Sequence, residues 1–69
     1  MVEVFKTNVR YATHATELVQ QLAEHFPSFK INFDLTDCDK ILRVEGDSIL
    51  SCRIIELLQE RDYECALLD

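Results

Sequence analysis

Glycine and proline are nearly missing from this 69-residue chain, which has one of each and no tryptophan. With Gly46 its single glycine, the chain has no glycine-rich loop to cradle a phosphate, which excludes nucleotide binding of that kind. The same scarcity, with hydrophobic residues at 48%, excludes a flexible linker or low-complexity tail and points to an ordered globular chain. Positive charge is also scarce. Seven basic residues stand against 13 acidic ones, and the net charge of −6 repels a phosphate backbone and an anionic membrane, so nucleic acid is not an expected partner. No apolar run approaches the roughly 18 residues of a membrane span, and the opening MVEVFKTNV holds too short an apolar run for a signal peptide. A cytoplasmic location without a membrane partner is the expectation. Cys38, Cys52 and Cys65 are odd in number and widely spaced, with no Cys-x-x-Cys pair, which argues against a secreted disulfide framework and fits a reducing compartment.

What is present reads as one domain over residues 1–69, near the size at which a single core is only just sufficient. Val2 to Val9 alternates loosely around Val4, Phe5 and Val9, and its β-branched and aromatic content predicts a first strand. From Thr13 or Thr16 the period changes. Ala15, Leu18, Val19, Leu22, Ala23 and Phe26 recur at spacings of three and four, with Glu17, Gln20, Gln21 and Glu24 on the wet side, predicting a helix of about three turns ended by Pro27. Phe29, Ile31, Phe33 and Leu35 then alternate with Lys30, Asn32 and Asp34, the clearest strand signal in the chain. Thr36-Asp37-Cys38-Asp39-Lys40 reads as a hairpin turn leading into Ile41–Glu45, with Leu42 and Val44 on the inner face.

After Gly46 and Asp47, Ser48 is the expected cap of a second helix whose apolar stripe holds Leu50, Ile54, Ile55, Leu57 and Leu58, with Cys52 at its margin. Asp62 is expected in the left-handed conformation after that helix, and Tyr63 to Leu68 forms the last strand. The order βαββαβ, with both helices seeking one sheet face, predicts an α+β, ferredoxin-like sandwich whose antiparallel strands run 4-1-3-2.

The element order, the stretch Val4-Phe5-Lys6-Thr7-Asn8-Val9 and the junction Glu60-Arg61-Asp62-Tyr63 resemble the heavy-metal-associated domains of copper chaperones and metal-pumping ATPases. The resemblance implies a metal-binding turn after the first strand, where the family carries two cysteines separated by two residues. Laid on this chain without gaps, that pair falls on Tyr11 and His14, so both thiolates are missing. Tyrosine, with an ordinary pKa of about 10, is a poor ligand for soft metals, and an ordinary copper chaperone is excluded on ligand chemistry.

Three readings of the turn remain, and in one of them Tyr11 packs its ring over the loop, His14 sits exposed in the first turn of the helix and nothing binds. Arg10, Tyr11, Ala12, Thr13 and His14, with Asp62 and Tyr63, can form a loop surface that docks a protein partner, or the fold can form a homodimer through its sheet. Alternatively, His14, Cys38 with Asp37 and Asp39, and Asp62 can converge from three connections at one end of the sandwich, giving a metal site built on His14 and Cys38. That mixed donor set suits Zn(II), Ni(II) or Cu(II) better than Cu(I). No catalytic machinery is legible, since His14 and Cys38 are the only conceivable Cys-His pair and two helices on one sheet offer no evident cleft. The expectation is therefore a non-catalytic binding or interaction protein without a resident cofactor.

Overall fold

Alternation at the start of the chain produces β1 (Val2–Thr7), which sends Phe5 to the core and Val2, Val4 and Lys6 to the opposite face of the sheet. The computed structural model describes residues 1–68; Asp69, the last residue of the expected domain, lies outside the described residues. The elements that follow are α1 (Ala12–His25), β2 (Lys30–Asp34), β3 (Ile41–Glu45), α2 (Ser51–Glu60) and β4 (Cys65–Leu67). They build one four-stranded sheet in the order β2-β3-β1-β4, every neighbouring pair antiparallel, which is the expected 4-1-3-2 topology. Both helices bury their apolar stripes against the same sheet face, making a two-layer ferredoxin-like sandwich. No helix among the described residues is long and apolar enough to cross a membrane.

The core lies between the layers. Phe5, Leu42 and Val44 rise from the sheet to meet Ala15, Leu18 and Leu22 of α1 and Ile54, Leu57 and Leu58 of α2. Val9, Ile49 and Cys65 close its edges, and no charged or polar residue is buried among the described residues. Burial without polar company leaves dispersion and the hydrophobic effect to hold the layers together. At one margin Phe26 and Phe29 stack with ring centres 5.3 Å apart, and Phe29 lies over the bare backbone of Gly46. The missing side chain at Gly46 is what admits that ring.

Several local expectations are revised by the tertiary environment. α1 begins at Ala12, because Tyr11 takes an extended conformation and its carbonyl accepts the Ala15 N–H at 3.0 Å; the helix therefore gains a turn over the expected length. Gln21, expected on the wet side, is half-buried. Ser48 does not cap α2: it adopts a left-handed φ of 52°, and Leu50 occupies the N-cap with no side-chain cap bond. Leu50 is 61% exposed, and Ile49 takes the buried place expected of it. Ile49 and Ile54 occupy the N′ and N4 positions of a hydrophobic staple, and burying both sets the angle at which the chain enters the helix. That packing outweighs the hydroxyl cap. The last strand shortens to three residues, leaving Leu67 and Leu68 partly exposed.

The exit from α2 follows its expectation. Asp62 has φ of 66°, the Tyr63 N–H donates to the Leu58 carbonyl at 3.1 Å and the Asp62 N–H to the Gln59 carbonyl at 3.0 Å. These are the two bonds of a Schellman ending, and they turn the chain so that Tyr63 projects beside the turn after β1.

Candidate functional site

Three connections meet at one end of the sandwich, and they are tied by hydrogen bonds to the end of β1. The Thr7 N–H donates to the Asp39 carbonyl at 3.0 Å, and the Thr7 hydroxyl donates to the Lys40 carbonyl at 2.6 Å. The same hydroxyl oxygen accepts the Val9 N–H at 3.2 Å. On the other side, Asn8 Oδ1 accepts the Glu64 N–H at 2.8 Å. The turn after β1 is thus fastened to the β2–β3 hairpin and to the α2–β4 junction together. Asn8 had no local signal for this clamp, since its partner lies 56 residues away.

On that frame Arg10, Tyr11, Ala12, Thr13 and His14 are all exposed. Tyr11 is 62% exposed and offers no side-chain cap to α1. First-turn amide N–H groups of a helix lack intrahelical partners, so this turn presents donors to whatever approaches it. The aromatic rings form a chain across two elements. Tyr11 and His14 meet edge to face with centres 5.3 Å apart, and His14 and Tyr63 at 6.3 Å. Edge-to-face rings at this separation attract one another weakly, which positions Tyr63 and the turn as one surface. Glu17, Gln21 and Arg61 line a groove with His14 and Tyr63, and the buried Gln21 Oε1 has no hydrogen-bond partner there. Sequence periodicity did not single out Gln21 or Arg61. Both sit at the boundary between wet and buried faces, where a helical repeat does not discriminate.

Cys38 occupies a different groove, of about 590 Å³, which it shares with Asp39, Gln59 and Tyr63. Tyr63 therefore stands in both grooves, and His14 and Cys38 in one each. Among the described residues, the set of three metal-ligating side chains within reach of one another is Asp37, Cys38 and Asp39, whose donor atoms lie within 4.8 Å. The hairpin backbone explains their grouping. Asp37 Oδ1 accepts the Asp39 N–H at 2.9 Å, the Asp37 carbonyl accepts the Lys40 N–H at 3.0 Å, and Lys40 takes a left-handed φ of 49°. Part of the Asp37 carboxylate is thus already committed to shaping the turn.

The remaining cysteines are set apart by burial. Cys52 is exposed on α2, while Cys65 is buried and desolvation pushes its thiol up to about 11. A thiol held neutral in this way is neither a nucleophile nor a ready metal ligand at neutral pH. No family model, curated protein or solved structure matches this chain.

Proposed function

We propose that the chain is a small, non-catalytic interaction module, similar to a heavy-metal-associated domain whose metal turn has become a docking surface. The surface comprises Arg10, Tyr11, Ala12, Thr13 and His14 with Asp62 and Tyr63. The observation that carries this reading is the Tyr11–His14–Tyr63 ring chain, in which exposed Tyr11 and His14 rest on a half-buried Tyr63, held in place by the Asn8 and Thr7 clamps. Tyrosine and arginine are the residue types that dominate interface energetics, since they bury large rigid area while keeping a polar tip. With a net charge of −6, the chain favours a partner with a basic surface.

A photo-crosslinking residue placed at position 11 tests this against the same residue at position 24, also exposed but near the other end of α1. Position 11 is expected to capture a discrete protein adduct that position 24 does not. The Tyr63→Ala change should weaken that capture by about tenfold or more. Equal capture from both positions, or none, sinks the docking surface.

A second reading, a metal carrier, is favoured by the Asp37, Cys38 and Asp39 cluster, whose carboxylates and thiol suit Zn(II), Ni(II) or Cu(II). The site then centres on the hairpin tip, with His14 in the adjoining groove that shares Tyr63. Native mass spectrometry of the reduced protein with each metal separates the readings. The carrier predicts one-to-one binding lost in Cys38→Ser and retained in His14→Ala. The docking module predicts nonspecific uptake that neither substitution changes.

A further inference from the structure

The two edges of the sheet are unequal. β4 is three residues long, whereas β2 supplies five, and its helix-facing side chains Ile31 and Phe33 are only half-buried while Leu42 and Val44 beside them are fully buried. Along this edge runs an apolar groove of about 490 Å³ between β2 and α1, lined by Ala15, Val19, Ile31, Phe33 and Leu35 among others. An uncovered edge strand of this kind is a template for another strand.

The hydrogen-bond parity of the sheet identifies which amides are free. The Gly46 N–H donates to the Met1 carbonyl, so in this register Gly46, Val44 and Leu42 point their peptide groups at β1. Glu45, Arg43 and Ile41 then face β2 and bond Lys30, Asn32 and Asp34. Ile31 and Phe33 are left with N–H and C=O directed outward. In a two-fold antiparallel pairing of β2 with a second β2, these outward residues must pair with one another. Centring the axis on Asn32 does so: Ile31 meets Phe33 of the second copy, twice, closing four backbone hydrogen bonds.

Charge selects among the registers that satisfy this parity. Centring on Ile31 sets Lys30 against Asn32, and centring on Phe33 sets Asn32 against Asp34. Centring on Asp34 opposes two carboxylates. Only the Asn32-centred register sets Lys30 against Asp34 of the second copy, at both ends and on the exposed face. Thr36 donates its amide and hydroxyl to Asp34 Oδ1, which keeps that carboxyl below its ordinary range and leaves Oδ2 for Lys30. On the helix side, Ile31 and Phe33 of each copy extend the apolar row across the joint and cover the partner's groove.

We propose that β2 is the interface of an antiparallel, two-fold homodimer, with Asn32 facing Asn32 of the second copy and the two sheets joined into one of eight strands. The inference stands independently of the docking surface, with which it shares only Ala12, a residue of both the loop and the groove.

Sedimentation equilibrium of the full chain from micromolar to millimolar concentration tests it, with amide exchange as a second readout. A reversible dimer is expected, with the Ile31 and Phe33 amides gaining protection as it forms. Asn32→Asp sets two carboxylates face to face at the axis and should weaken the dimer by about fivefold or more. Lys30→Asp and Asp34→Lys should each weaken self-association similarly, and an equimolar mixture of those two variants should recover it, because each then meets opposite charge. Asp34→Lys also removes the Thr36 bonds; if it does not fold, Asn32→Asp and the amide protection still decide the question. A chain that is monomeric throughout overturns the proposal and leaves the groove to a strand from another protein. A dimer indifferent to Asn32→Asp, or unprotected at Ile31 and Phe33, overturns it equally.

Discussion

Phe5→Ala is expected to cost about 3–5 kcal/mol and to leave much of the protein unfolded at 25 °C. Phe5 is completely buried, sits on central strand β1, and pairs across with Leu42 on one side and Leu67 on the other. Removing its ring opens a void between the sheet and both helices, and neighbours at the centre of a sheet have little freedom to collapse into it. A domain of this length has a total stability of only about 3–10 kcal/mol, so the loss approaches the whole. Urea unfolding followed by circular dichroism reads the effect. Val2→Ala on the same strand, at a side chain 43% exposed, should change stability by less than about 0.5 kcal/mol. Comparable losses in the two variants would mean that the core is not where Phe5 lies.

Gly46→Ala should be the next most damaging change, at about 1–3 kcal/mol, although a methyl group is all it adds. The cause is space, since Gly46 has an ordinary negative φ and would tolerate a side chain conformationally. A Cβ there runs into the ring of Phe29, with Cε1 at 2.9 Å and Cδ1 closer still. The ring cannot easily retreat, because it is also stacked on Phe26. Pairing Gly46→Ala with Phe29→Leu should therefore restore part of the loss, a coupling that a double-mutant cycle measures directly. Simple addition of the two single effects would show that the ring and the glycine do not oppose one another.

These two positions differ in how visible they were. Phe5 is announced by its place in an alternating, β-branched stretch, whereas nothing local to Gly46 indicates an aromatic ring 17 residues away. The same division runs through the candidate surface. Tyr11 and His14 stood out as the residues occupying a turn where the resembled family carries thiolates, and Asp62 as a left-handed residue at a helix end. Their union with Tyr63 into one ring chain depends on Asn8 and Thr7, which clasp segments distant in sequence. His14 and Cys38 lay at the same end by topology, yet they line separate grooves that share Tyr63.

By itself the sequence determined the element order, the strand topology and, apart from Gln21, Ala23 and Leu50, the core faces of both helices, because periods of two and 3.6 are local properties that survive any arrangement of neighbours. It also determined the absence of a thiolate pair, which is a matter of residue identity alone. The tertiary structure decided where α2 begins, because burying Ile49 against the core outweighed a serine cap. It decided that Ile31 and Phe33 are half-covered, because β2 falls at the edge of the sheet with no strand beyond it. Side-chain periodicity marks a strand's inner face equally well at the centre and at the rim, and only the assembled sheet distinguishes them.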